Sequence, residues 1–194
     1  MDINTRIAAR VRALRDARGL SLDALAERSK VARSTISLIE RAESSPTAVV
    51  LDKLAGALGV TLASLFDEAE TPSPSPHARP ADQAVWIDPA AGYQRRNLSP
   101  RLPSPLQLVE VHFPAGQRVD YAGMPRGAQT HQQVWMIDGV IEMTVGPDIW
   151  RLETGDCLAM RLDGAISYRN PTDRTAHYLV ALSTYPAPMT ARFP

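Results

Sequence analysis

The spacing of apolar residues changes from a helical period to a strand period at a proline-rich segment, which divides the 194-residue chain in two. This segment, Asp67–Pro80, reads DEAETPSPSPHARP and carries four prolines and no large apolar side chain. A segment of this composition does not join a packed core and is typical of an extended linker. We therefore predict a helical domain over residues 1–66, a linker over 67–84 and a strand-rich domain over 85–194.

Five short helices fit into the first 66 residues. Apolar residues recur at helical spacing in each of them, and polar residues typical of helix starts precede them. The predicted helices begin near Asn4, Ser21, Arg33, Ser45 and Thr61. The second and third are separated by only a short turn, which predicts a helix-turn-helix unit within a compact helical domain.

This first domain resembles a known family. The run GLSLDALAERSKVARSTISLIERAESSPT, followed by LDKLAGALGVTLASLF, closely resembles the helix-turn-helix domains of XRE, Cro and phage repressors over about residues 5–66. Three positions differ from the common pattern: Leu22 replaces a frequent Gln, Lys30 replaces the turn Gly, and Ala32 replaces the Ser cap of the second helix of the motif. The resemblance implies a five-helix, lambda-repressor-like fold that binds double-stranded DNA.

In this motif the start of the second helix meets base edges in the major groove. Arginine pairs with guanine, serine and threonine bond to several bases, and flanking cations neutralise phosphates. The alternatives are a helical bundle with a solvated charged face and a protein-binding helix pair. The predicted DNA-contacting residues are Arg33, Ser34, Thr35, Ser37, Arg28, Lys30 and Arg41.

The second half carries short apolar segments between turn signals, which is typical of an antiparallel sandwich or barrel. Asp138-Gly139 predicts a hairpin turn between the strands Gln133–Ile137 and Val140–Val145. This half resembles the cupins, an all-β family of jelly-roll, double-stranded β-helix barrels, over about residues 85–183. Gly139 closes the first cupin motif, and two residues match the second motif at the correct spacing, Gly155 and Asn170.

The metal ligands of the cupin motifs are missing from this sequence. Gln132 stands at the Glu position, the first two His positions fall within Pro125–Ala128, and Ile166 stands at the last His position. We therefore predict no metal and no other cofactor. His112, His131 and His177 leave an irregular metal site open as an alternative, although hydrogen-bonded strand residues are the expected role.

A barrel without metal ligands still has room for a small ligand. Arg161 is the most informative candidate, because a guanidinium inside a barrel needs an anionic partner. Strand residues alternate between two faces, and the register is open, so plain core packing is the alternative for each aromatic residue. The candidate pocket residues are Tyr121, His131, Gln133, Trp135, Met143, Arg161, Ser167 and Tyr168.

The two resemblances together imply a ligand-responsive transcription factor, most often a repressor in this class, that acts as a homodimer. The alternatives are an enzyme similar to the mononuclear iron epoxidases of the same architecture, and a DNA-binding scaffold whose barrel only dimerises. Because the iron ligands are missing, we predict that the protein is not an enzyme.

Composition agrees with an intracellular regulator. The 21 basic and 21 acidic residues cancel, which excludes an acidic or basic tail protein, and the single cysteine, Cys157, excludes an internal disulfide. No apolar run reaches the roughly 20 residues that span a bilayer. We therefore expect a cytosolic protein without a membrane partner.

Overall fold

The computed structural model describes residues 2–66, 75–100, 102, 104–123 and 128–186, so residues 67–74 of the predicted linker lie outside the described residues. Residues 2–66, the helical half, contain four α-helices and a four-residue 3₁₀ helix rather than five α-helices. These elements are α1 (Ile3–Ala17), α2 (Leu22–Ser29), α3 (Arg33–Glu40), α4 (Ala48–Ala57) and the 3₁₀ helix Ala63–Phe66.

Capping residues explain where these helices begin. The Ser21 Oγ accepts a hydrogen bond from the Ala24 N–H at 3.1 Å, as predicted for the start of α2. Helix α4 begins later than predicted, because its cap is Thr47 rather than Ser45. The fifth predicted helix is limited to one 3₁₀ turn, in which Thr61 Oγ1 accepts from the Ser64 N–H at 3.1 Å.

One apolar face of each helix fills the core of the helical half, to which Ile7, Leu25, Ile36 and Leu51 contribute fully buried side chains. An ion pair fixes the end of α3 against α1. The Arg15 Nε donates to Glu40 Oε1 at 2.7 Å, and its Nη2 donates to Glu40 Oε2 at 2.9 Å. Helix α3 is therefore positioned by both apolar packing and a two-pronged ion pair.

Residues 85–186, the sheet half, form two antiparallel sheets. The six-stranded sheet has the order β1-β2-β3-β10-β5-β8, and the four-stranded sheet has the order β4-β9-β6-β7. The strands are β1 (Val85–Ile87), β2 (Gln94–Asn97), β3 (Leu106–Phe113), β4 (Arg118–Tyr121), β5 (Ala128–Asp138), β6 (Val140–Val145), β7 (Asp148–Glu153), β8 (Cys157–Arg161), β9 (Ile166–Arg169) and β10 (Ala176–Pro186).

The predicted hairpin at Asp138-Gly139 is wrong. Strand β5 pairs with β10 and β8, whereas β6 pairs with β7 and β9, so the chain passes from one sheet to the other at Gly139. This crossing lets Met136 on β5 and Ile141 on β6 both point into the space between the sheets, where each is fully buried. The described strands form two separate hydrogen-bonded sheets, so the closed barrel of the prediction is not confirmed.

Buried contacts join the two halves. The Asp88 carboxylate lies just after β1, and it accepts hydrogen bonds from the Ala48 N–H of α4 at 2.8 Å and from the Ala91 N–H at 2.7 Å. The rings of Phe66 and Trp86 pack with their centroids 5.5 Å apart. The helical half therefore contacts the sheet half through α4 and the 3₁₀ helix. Of the described helices, none is both long enough and apolar enough to cross a bilayer.

Candidate functional site

The outer surface of α3 carries polar side chains at its N-terminal end. Arg33 and Ser34 are exposed and Thr35 and Ser37 are half-buried, while the intervening Ile36 is fully buried. The apolar side of the helix is thus fixed in the core and the polar side is free to approach a ligand. This is the geometry with which a recognition helix enters a major groove.

Three further basic residues lie just before or just after α3 in the chain, and all are exposed: Arg28, Lys30 and Arg41. Arg41 pairs with Glu43 at 2.9 Å, and Arg33 pairs with Asp23 at 3.0 Å. Ion pairs at exposed positions are weak and screened, so phosphate groups compete for these arginines at little cost.

A cavity lies between the two sheets. About 740 Å³ of space inside it is not occupied by protein atoms, and part of this space is open to solvent. Its wall combines strand residues of both sheets with three residues of the helical half, Asp52 of α4 and the neighbouring Thr61 and Leu62. The cavity is therefore shared by the two halves of the molecule.

An arginine on the short strand β2 points into this cavity. Arg95 pairs with Val111 in the register of β2 and β3, and both residues line the cavity. Arg95 is half-buried overall, but its Nε is shielded from solvent and has no hydrogen-bond partner among the described residues. A buried donor without a partner is costly, so this atom is available to an oxygen atom of a ligand.

Four tyrosines surround Arg95 in the cavity wall: Tyr93, Tyr121, Tyr168 and Tyr178. The Tyr93 and Tyr121 hydroxyls are hydrogen-bonded at 2.8 Å, and the rings of Tyr168 and Tyr178 are stacked. Burial raises the pKa of Tyr168 to about 12 and also raises the pKa of the other three. The tyrosines are therefore neutral hydroxyl groups at physiological pH.

The charge of the cavity wall follows from these pKa shifts. Burial by itself lowers the pKa of Arg95, but the surrounding tyrosines, Tyr93 foremost, hold it above its usual value. Gln132, which stands where the cupin motif has a Glu, also lines the cavity, and its Nε2 donates to the Tyr168 hydroxyl. The wall therefore holds the Arg95 guanidinium and the Asp52 carboxylate together with neutral hydroxyl and amide groups. Of these, the guanidinium is the group that suits a small anionic ligand.

Of the eight predicted pocket residues, two line the cavity, Tyr121 and Tyr168. The other six do not. Met143 is fully buried but is not part of the cavity lining, and Ser167 is half-buried and donates to the Asp120 carboxylate, which lowers the pKa of Asp120.

The other four predicted residues point away from the cavity. His131, Gln133 and Trp135 alternate along β5 with buried residues and are exposed. Arg161 is also exposed, with 62% of its side chain accessible and its Nη2 2.6 Å from Asp163. The strand register decides this outcome, because from Thr130 to Met136 the inward residues of β5 are the even-numbered ones, including Gln132.

Sequence reasoning missed Arg95. Its strand, Gln94–Asn97, is short and polar and gives no strand signal of its own. The available signal was the alternation of Tyr93 and Arg95, which places both on one face of an extended segment. That face becomes informative only when its pairing with β3 is known.

The outer face of the six-stranded sheet holds a second polar cluster. Glu110, His112 and His177 lie together there, with their ligand-type atoms within 4.8 Å of one another. The His177 Nε2 is 3.0 Å from Glu110 Oε1, and the rings of His112 and His177 stack with centroids 4.2 Å apart. Burial lowers the pKa of His112, and the neighbouring His177 lowers it further. His131 is exposed on β5 and is not part of this cluster.

An exposed polar helix surface and a cavity between two sheets define a two-part protein that combines a helix-turn-helix unit with a cavity-containing sheet half. Comparisons with known proteins specify each part. A family description named HTH_3, a helix-turn-helix, matches residues 11–65. The HTH-type transcriptional regulator SutR of Escherichia coli (strain K12) is 29% identical over 165 residues, which cover 85% of this chain and 87% of SutR.

Two solved structures are similar to this chain, one over nearly its whole length and one over about half of it. An HTH_3 family transcriptional regulator from Vibrio cholerae has the same fold, with a TM-score of 0.75, 23% identity and coverage of 95% of this chain and 98% of that chain. The Cupin_2 domain of an XRE family regulator from Enterobacter cloacae is similar with a TM-score of 0.42, at 19% identity over 49% of this chain and 98% of that chain. The predicted resemblance to XRE-type regulators is confirmed: residues 11–65 match an HTH_3 helix-turn-helix domain, and the chain is similar over most of its length to HTH-type transcriptional regulators.

The prediction that this protein is not an enzyme is wrong. It depended on the absence of metal ligands, and the structure brings Glu110, His112 and His177 together as a possible metal site. The similar structures also include the hydroxypropylphosphonic acid epoxidase from S. wedmorenis, at 16% identity over 93% of this chain and 98% of that chain, with a TM-score of 0.46. A likeness at this TM-score carries no argument about function, so the correction depends on the cluster.

Proposed function

We propose that this protein is a transcriptional repressor whose affinity for its operator is set by a small anionic effector bound in the cavity. Residues 1–66 are the DNA-binding domain and residues 85–194 are the effector-binding domain, within a cytoplasmic protein. The observation that carries the proposal is the shared cavity wall, to which the helical half contributes Asp52, Thr61 and Leu62.

The DNA-contacting surface in this proposal is the polar end of α3. Arg33, Ser34, Thr35 and Ser37 are assigned to base edges, because α3 presents them on its outer side. The flanking basic residues are assigned to phosphates, which adds affinity without sequence readout. These phosphate-contacting residues are Arg28, Lys30 and Arg41.

The effector is assigned to the Arg95 guanidinium. Carboxylate, phosphonate and sulfonate groups all offer oxygen atoms that accept from its unpartnered Nε. The neutral tyrosines add hydroxyl donors and apolar ring surface for the remainder of a small molecule. The ligand class is therefore a small organic anion.

In this proposal, effector binding is coupled to DNA binding through the different affinities of the effector for different arrangements of the two halves. An effector changes operator binding only if it prefers one arrangement of the helical and sheet halves over another. Because Leu62 and Asp52 lie in the cavity wall and belong to the helical half, a ligand that alters the wall alters the free energy of docking between the halves.

We further propose a homodimer that contacts DNA half-sites about one helical turn apart. The edge strand β7 of the four-stranded sheet exposes Ile149, with 73% of its surface accessible, and Trp150, with 47%. Exposed apolar residues on an edge strand favour association. Sedimentation of the full chain tests this proposal: a dimer that Trp150→Lys converts to a monomer supports it, and a monomeric wild type contradicts it.

The DNA-binding proposal is tested with a duplex selected from a random library by the full-length protein. Arg33→Ala and Thr35→Ala are each expected to weaken specific binding by about 1–3 kcal/mol per lost base contact. Arg118→Ala is the matched control, since Arg118 is an exposed, ion-paired arginine of the sheet half. Unchanged affinity in both α3 variants would mean that the DNA-contacting surface lies elsewhere.

The effector proposal is tested by thermal-shift screening with small carboxylates, phosphonates and sulfonates. We expect at least one to raise the melting temperature of the wild type, because a ligand of the folded state stabilises it. Arg95→Met is expected to abolish the shift, and Arg161→Met, at an exposed arginine, to retain it. If no anion produces a shift, or if Arg95→Met responds like the wild type, the proposed effector class is wrong.

A further inference from the structure

The outer face of the six-stranded sheet brings together three side chains from two neighbouring strands. His112 of β3 is the direct cross-strand partner of His177 of β10. Glu110 lies two residues before His112, so it shares the same face of β3. All three are half-buried, which leaves them accessible to a small solute while their positions are fixed by the sheet.

The distances are close to those that a single small cation needs. Zinc holds His nitrogens and carboxylate oxygens at about 2.0–2.2 Å, so two ligands of one ion lie at most about 4.2 Å apart. The ligand-type atoms of Glu110, His112 and His177 are already within 4.8 Å of one another. This spacing is longer than that limit, and the His112 and His177 rings are stacked with their planes 15° apart. Binding of one ion therefore requires at least one imidazole to rotate out of the stack, so that its lone pair points at the ion.

A neighbouring arginine lies beside the carboxylate. The Arg96 Nε of β2 lies 3.5 Å from Glu110 Oε2, whereas Glu110 Oε1 is the oxygen that faces His177. The Arg96 Nε makes no hydrogen bond to the described residues, so this contact is an ion pair only. It leaves the other carboxylate oxygen directed at His177.

We propose that Glu110, His112 and His177 bind a divalent first-row transition-metal ion such as Zn²⁺ on the outer face of the sheet. Two imidazoles and a carboxylate are the ligand types that such ions prefer over Mg²⁺ or Ca²⁺. Water completes the coordination on the solvent side.

This site is separate from the position that the cupin motifs assign to a metal. Gln132, at the Glu position of the motif, points into the cavity. The cluster lies on the opposite side of the same sheet, and its members alternate along β3 and β10 with the cavity-lining Val111 and Tyr178. A bound ion therefore crosslinks two strands that form the cavity wall without occupying the cavity.

The test is calorimetric titration of the EDTA-treated full-length protein with ZnCl₂. We expect one ion per chain and a loss of affinity of about 10-fold or more in each of His112→Ala, His177→Ala and Glu110→Gln. His131→Ala is the matched control, because His131 is exposed on β5 outside the cluster, and it is expected to bind like the wild type. No saturable binding, wild-type affinity in His112→Ala and His177→Ala, or equal loss in His131→Ala overturns the proposal.

A second measurement uses the wild type, so it does not depend on the folding of any cluster variant. The chain has four histidines, and their ring signals are followed by NMR during a titration with Co²⁺. The signals of His77 and His131 are identified by their loss in His77→Ala and His131→Ala. The proposal requires the other two signals to broaden together at one equivalent; selective broadening of His77 or His131 overturns it.

Discussion

The two halves of this protein place their functional residues by different physical means. The polar surface of α3 consists of residues within one short segment, Arg33–Ser37, whose orientation follows from the period of a single helix. The cavity takes residues from both sheets and from the helical half. A site within one helix depends on local geometry, whereas a site between sheets depends on strand pairing across the whole domain.

The largest expected effect concerns the contact between the halves. Asp88→Ala removes a buried carboxylate that accepts from the Ala48 and Ala91 N–H groups and leaves two buried donors unsatisfied. We expect the free energy of unfolding to fall by about 3 kcal/mol, measured by urea denaturation. Asp148→Ala, at an exposed strand end, is the control and is expected to change it little. Equal stability of the two variants would show that the halves do not depend on this contact.

The next effect concerns the placement of α3. Glu40→Gln removes the charge that pairs with Arg15, an interaction in which the two side chains are only 13% and 8% exposed. We expect a loss of about 2 kcal/mol in the free energy of unfolding, because the largely buried Arg15 guanidinium loses its two-pronged carboxylate partner and keeps only the exposed Asp16 carboxylate, 2.8 Å away, as an anionic partner. The control is Glu43→Gln in the exposed pair with Arg41, expected to cost about 0.5 kcal/mol or less. If both variants lose a similar amount of unfolding free energy, the Arg15–Glu40 pair does not stabilise α3 and apolar packing alone holds the helix.

The smallest effect is local to the turn of the helix-turn-helix. Lys30 has a φ of 57° where the family pattern has Gly, and this conformation is unfavourable for a residue with a Cβ. Lys30→Gly is expected to stabilise the protein by about 1 kcal/mol in thermal or urea unfolding. Lys53→Gly is the control. Because Lys53 lies inside α4, this substitution is expected to lower the free energy of unfolding by about 1 kcal/mol. Destabilisation by Lys30→Gly would show that the lysine side chain itself supports the turn.

The sequence predicted the candidate site of the helical half better than that of the sheet half, because the first depends on local geometry and the second on strand pairing. The segment of α3 and the outward direction of Arg33 and Ser34 were predictable, because a helical period relates residues only three or four positions apart. The inward direction of Arg95 was not, because it follows from pairing with Val111. Arg161 was favoured instead, and the register of β5 with β8 leaves it exposed.

The hairpin prediction at Asp138-Gly139 failed for a related reason. The dipeptide correctly marks a bend, at which Gly139 has a φ of 87°. Local turn chemistry, however, does not specify whether the two strands pair with each other. Here both strands bury apolar residues by lying in opposite sheets.

The amino-acid sequence by itself determined the helix-turn-helix segment and the strand-rich character of the second half, because each depends on neighbouring residues. The division of the chain at the proline-rich segment stays a prediction. Only the tertiary structure decided that Arg95 faces a cavity shared with α4, and that His177 meets Glu110, which lies 67 positions earlier in the chain. The physical reason is that strand pairing joins residues distant in sequence. Hydrophobic alternation fixes which residues share a face, but it leaves the identity of the partner strand open.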